Sequence, residues 1–241
     1  KWENAGIYKS NADSNYVLNQ VMLTDTAIGS CDGILGTFSN TGIFDEINRL
    51  TVYISSDNVL TSSTRESILA NKYVNLALIG TEILQFRTAT LVIPGKYVIS
   101  GLLRGRFGTE ASVPTHALNE KFCLLGSTGM GFVSIPSGTL GTKLFYKAVS
   151  PRQLLSSVQY QNITPTGILL KPLSPVNLRV NRISTNTVFT WTRRTRMSTR
   201  FSSTLGISIP LGEDVEKYTV EFYSDSTFTV LKRTYTDLLT P

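Results

Sequence analysis

The chain has 241 residues, 41% hydrophobic, 10% aromatic and 17% charged, with ten Tyr and eleven Phe. That is enough for one or two domains with a real core, and it excludes an intrinsically disordered chain. Net charge is +6. No run approaches the roughly eighteen apolar residues of a membrane-crossing helix, and no signal-peptide pattern opens the chain. It starts at Lys1 and reads as a piece of a longer polypeptide.

The dominant hydrophobic period is two, so the predicted elements are strands. Residues 51–55 alternate, and 72–79 are strand-like up to Gly80. The next strand, 82–87, follows after only Gly80-Thr81, which predicts a tight hairpin. Between them and 51–55, the S-x-x-E spacing of Ser63 and Glu66 reads as a capping box opening a helix of one or two turns. Strand 91–93 meets Pro94-Gly95, a turn signal, and 96–100 resumes the extended pattern. Further strands are predicted at 121–125, 131–135 and 141–149. Composition changes near residue 165, where 161–167 reads as a connector. Beyond it come a Pro-rich entry at 172–175, then strands at 176–180, 187–191 and 218–222. This order resembles the opening of a fibronectin type III domain, with Trp191 as the large inward residue. Residues 166–241 are too few for a whole module of about 100 residues, so the sandwich is trimmed or finished elsewhere. The expected fold class is mainly β, with a β-rich domain over 1–165 and a fibronectin-like sandwich, possibly incomplete, over 166–241.

The chemistry-bearing residue types are sparse. One histidine, His116, rules out a two-His metal motif, and Cys31 and Cys123 lie far apart and read as reduced buried thiols. Phosphate-loop and dinucleotide fingerprints are absent. The basic residues concentrate at Arg193, Arg194, Arg196 and Arg200. The plain reading is a solvated strand and loop; the sharper one is a phosphate- or glycan-facing loop. Few aromatics interleave with them, so nucleic acid is not an expected partner. Gly101, Gly105 and Gly108 permit positive φ around Arg104 and Arg106. A strand running into a bent loop is expected there, with Arg104 bonding backbone carbonyls or a carboxylate such as Glu82 or Glu110. An anion-binding nest of backbone amides is the alternative. His116 reads as a locally bonded loop residue. Glu213, Asp214 and Glu216 read as a solvated acidic loop, and Asp45-Glu46 adjoin. No catalytic, metal or cofactor constellation is expected, although Glu82 with Glu110 remains an open carboxylate pair.

The segments G-T-E-I-L-Q-F-R-T-A at 80–89, S-G-L-L-R-G-R-F-G-T-E at 100–110 and the following His116 resemble the C-terminal part of the tail hub protein of gene transfer agents and siphophage-like particles. S-P-V-N-L at 174–178, W-T-R-R-T-R at 191–196, P-L-G-E at 210–213 and Tyr218-x-Val220 extend the likeness, which covers about 30–235. The first thirty residues match less well and read as the end of a preceding hub domain. The resemblance implies a structural part of a tail tip or baseplate hub. It would join the tail tube to fibres or receptor-binding parts, beside a distal tail protein and threefold in the particle. Its place would be the virion tail tip, reached from the bacterial cytoplasm during assembly, without membrane insertion. A carbohydrate-binding or adhesin module is the alternative, with Trp2, Tyr8, Tyr16 and Tyr160 as stacking rings and a cell-surface glycan or receptor as ligand. A tail-borne cell-wall hydrolase is a third reading that no constellation favours, so the chain is not expected to be an enzyme.

Overall fold

A computed structural model describes residues 3–55, 57–126, 129–195 and 209–239. The strands in chain order are β1 (Ala5–Ser10), β2 (Val17–Met22), β3 (Ile28–Asp32), β4 (Asp45–Ile54), β5 (Leu76–Ile79), β6 (Glu82–Ile93), β7 (Lys96–Leu103), β8 (Lys121–Leu124), β9 (Leu144–Val149), β10 (Gln161–Ile163), β11 (Val176–Ile183), β12 (Asn186–Thr192), β13 (Tyr218–Tyr223) and β14 (Leu231–Leu238). One short helix, α1 (Arg65–Ala70), lies between β4 and β5. The protein is mainly β, with antiparallel sheets, and divides into two compact units, Lys1–Lys171 and Pro172–Pro241. The division falls past the 161–167 connector. Gly141 still donates to the Pro165 carbonyl, and the turn at Ile168–Leu170 stays with the first unit.

The first unit nests one sheet inside another in sequence. β1 and β2 pair with β9 and β10 in a four-stranded sheet of order β10-β9-β1-β2. The segment between β2 and β9 closes into a barrel of order β3-β4-β7-β6-β5-β8, every pair antiparallel. Period-two patterning builds it. Leu50, Val52 and Ile54 of β4, Leu84 and Phe86 of β6, and Tyr97 and Ile99 of β7 all point into one buried cluster. Burying a side chain such as Phe86 contributes about 1.5–3 kcal/mol, and closure removes the sheet edges.

Two turns set the register. Ile79 pairs with Glu82 across Gly80-Thr81, where Gly80 has φ +57°. Ile93 pairs with Lys96 across Pro94-Gly95, with φ +78° at Gly95. β5 is shorter than the 72–79 run, because residues 72–75 form a turn in which Asn75 takes φ +48°.

Two expectations need correction. The cap of α1 is Thr64, whose hydroxyl accepts from the Ser67 N–H, and not Ser63, whose N–H is spent on the Arg87 carbonyl. Residues 131–135 form no strand: Gly131 packs against the Gln20 and Met22 side chains without ladder bonds, and Phe132 is exposed.

The second unit holds two antiparallel hairpins, β11–β12 and β13–β14. Phe189 meets Phe222 edge-on at 5.2 Å between ring centres, and Trp191 meets Tyr218 at 5.0 Å. A groove of about 740 Å³ lies among Phe189, Trp191, Phe222 and Tyr235.

Candidate functional site

The densest chemistry among the described residues is buried at one end of the barrel. Register puts Glu82 in phase with Leu84 and Phe86, so its carboxylate enters the interior just after the Gly80-Thr81 turn. Opposite, β7 ends at Leu103, and Arg104 follows with no exposed surface. Its guanidinium grips Glu82 as a fork, Nε to Oε1 at 2.9 Å and Nη2 to Oε2 at 2.9 Å. Nη1 donates to the Gly36 carbonyl at 2.9 Å and to Asp45 Oδ2 at 3.1 Å. Asp45 sits at a bulge in β4, where its Oδ1 accepts from the Ile47 and Asn48 N–H groups.

After Arg104 the chain turns through three left-handed residues, Gly105 (φ +60°), Phe107 (φ +56°) and Gly108 (φ +81°). The Gly105 N–H donates to Glu82 Oε1 at 2.7 Å, so a carboxylate of the chain itself takes the amide that a nest would offer an outside anion. A Cβ at Gly105 would stand 3.0 Å from Glu110 Cα. Thr109 then ties the loop to β6 through Ile83, and Arg106 Nε donates to the buried Gln85.

His116 completes the cluster. Nε2 lies 2.6 Å from Glu82 Oε2 and Nδ1 2.6 Å from Glu120 Oε2, with the imidazole side chain 2% exposed. Two carboxylates on the two ring nitrogens call for the doubly protonated ring, donating at both. Burial pushes the His116 titration down, but the hydrogen bonds and charges of Glu82 and Glu120 outweigh it and hold it above the ordinary range. Burial likewise pushes Glu82 up, but donation from His116, Arg104 and the Gly105 N–H holds it below the usual carboxylate range. Chemically the cluster is a plug. Each buried charge faces an opposite one, and Glu82 is saturated by four donating nitrogens besides the second contact from Nε.

The sequence singled out Gly101, Arg104, Gly105, Gly108 and His116, and the structure brings them to this end of the barrel. Gly101 (φ +63°) lies against the Arg87 side chain. Asp45 and Glu120 were not foreseen as partners. The usable signal for Glu120 was its four-residue spacing from His116; nothing local marked Asp45, whose contact with Arg104 spans 59 residues.

The other candidates lie elsewhere. Arg193 donates to the Ile209 carbonyl and pairs with Glu216, which also accepts from the Tyr218 hydroxyl. Arg194 is buried. These two arginines are therefore held within their unit and do not form a solvated loop, and Glu216 is half-buried. Arg196, Arg200 and Trp2 lie outside the described residues. Tyr16 bonds Asp13 under the Lys147 ammonium, Tyr160 packs edge-on against Phe145, and Tyr8 lies against Gly6. Cys31 and Cys123 are unpaired thiols on β3 and β8; burial pushes Cys31 up to about 12 and raises Cys123.

Fold and site together define a closed antiparallel β-barrel plugged by a buried ion cluster. Residues 26–123 match the family described as Rcc01698-like, C-terminal, associated with the gene transfer agent of Rhodobacter capsulatus. The matched stretch runs almost strand for strand from β3 to β8. No curated protein matches the chain.

Proposed function

We propose that this chain is a structural component of a phage or gene-transfer-agent tail tip, part of the baseplate hub that joins the tail tube to fibres or receptor-binding parts. The observation that carries this reading is the coincidence of the family match with the plugged barrel. The most distinctive residues of that segment, Glu82, Arg104, Gly105 and His116, bond one another inside the end of the barrel, which supports a structural part. In this reading neighbouring tail proteins dock on its outer surface, copies are arranged threefold, and no substrate is turned over. A glycan-binding role has less support, because the Tyr16 ring is taken up by Asp13 and Lys147, Tyr8 lies against Gly6, and Arg193 and Arg194 are held inside their unit, although Tyr160 stays exposed beside Phe145.

The test is immunogold labelling of intact particles with an antibody raised against the barrel. Label confined to the tail tip is expected. Label along the tail or on the capsid, or particles that assemble normal tips after the barrel is deleted from the gene, would overturn the reading.

A further inference from the structure

Residues 114–120 cross the plugged end of the barrel before β8. Pro114, Thr115, Ala117, Leu118 and Asn119 are exposed, and His116 is the side chain this stretch turns inward. Upstream, the loop is fastened independently: Gly105 to Glu82, Thr109 to Ile83, Ser112 to Thr81, and Val113 by burial. Downstream, Cys31 N–H bonds the Glu120 carbonyl, which fixes the start of β8. Between these anchors His116 is the side chain that joins the stretch to Glu82 at the centre of the cluster, with Glu120 behind it.

We propose that His116 is a proton-operated latch, which in its doubly protonated form pins residues 114–120 over the end of the barrel and on losing a proton releases them. The groups facing it are Glu82 from β6 and Glu120 from the approach to β8. Arg104, following β7, and Asp45 of β4 lie one contact further through Glu82. A neutral imidazole has one N–H and one lone pair. Facing two carboxylates 2.6 Å away, it keeps one hydrogen bond and turns the other into a lone-pair contact with an anion. Glu82 can spare the ring, because Arg104 and the Gly105 N–H still hold it, so the remaining ring N–H stays with Glu120 inside the same stretch; the contact that opens is the one from Nε2 to Glu82, which ties the stretch to the barrel. The plug stays in place while the strap over it lifts. No proton is consumed beyond the one the ring gives to solvent.

The chain has a single histidine, so its ring is observed without ambiguity. The experiment is a pH titration of the whole 241-residue chain by long-range ¹H–¹⁵N correlation of the imidazole, together with backbone ¹³Cα relaxation of residues 115–119. Both ring nitrogens are expected to remain protonated above the ordinary value of 6.5. The population of the released stretch, read from the ¹³Cα order parameters of 115–119, is expected to rise about tenfold for each pH unit by which the folded titration exceeds the ordinary one, while β6 and β7 stay rigid. In His116→Gln the same residues should be mobile at every pH. A ring that titrates at or below the ordinary 6.5, or one that titrates without loosening 115–119, would overturn the latch; both readings come from the unmutated chain.

Discussion

Arg104 shows how differently two ion pairs of one barrel weigh. Arg104 and its partners Glu82 and Asp45 have no exposed side-chain surface, whereas the Arg87–Glu46 pair, bidentate at 2.8 and 2.9 Å, is 31% and 50% exposed. Removing one partner of a buried cluster strands the others in low dielectric, at about 3–5 kcal/mol. Removing one partner of an exposed pair costs under about 1 kcal/mol. Arg104→Met keeps the apolar stem but takes the guanidinium from two buried carboxylates, so its urea midpoint should fall far more than that of Arg87→Met. Equal losses would mean that the guanidinium contributes by bulk alone. From the sequence, two arginines between three glycines pointed to a bonded bend. Of the partners expected for Arg104, a backbone carbonyl and Glu82 are met, at Gly36 and across 22 residues; Asp45, 59 residues away, was not legible. Local spacing carries turn chemistry, not partners so distant.

At the scale of elements, the hairpin between β5 and β6 decides where the plug sits. The two-residue turn was legible because Gly80 and the flanking alternation leave little choice of register. The failures have the opposite cause. The segment 131–135 reads as a strand by period, but it packs on the Gln20 and Met22 side chains of β2 without forming ladder bonds and stays loop. Ser63 lost the cap because its backbone bonds Arg87. Gly80 also has a role that its turn does not reveal: a Cβ there would lie 2.2 Å from Glu120 Oε1. In Gly80→Ala the flexible carboxylate swings aside, so the stability cost is that of a left-handed alanine, about 1–2 kcal/mol. The displacement should leave Nδ1 of His116 without its partner. The measurement is the imidazole titration, expected to move down towards the ordinary value; an unchanged titration would show that Glu120 keeps its grip.

For the whole molecule, the two titrating members of the plug give the barrel a stability profile with two flanks. The mainly β architecture was legible from period-two patterning, but barrel closure was not, since it depends on β3 pairing with both β4 and β8 across nearly a hundred residues. That closure is what buries Glu82 and His116 together. Glu82, held below its ordinary 4.5, contributes stability that is fully present above that value and drains as pH falls through the lowered folded value. His116, held above its ordinary 6.5, contributes stability that is fully present below that value and drains as pH rises through the raised folded value. The plateau therefore spans the interval between the two ordinary values, stability draining outside it on either side, and the alkaline flank belongs to His116. His116→Gln should lower the chain's denaturation midpoint at pH 6. Its deficit should shrink as pH rises, until the two curves converge where the native imidazole is neutral. A deficit that stays constant from pH 6 to the alkaline limit would assign the loss to shape rather than charge, because a group that does not change protonation on unfolding leaves the slope of stability against pH untouched.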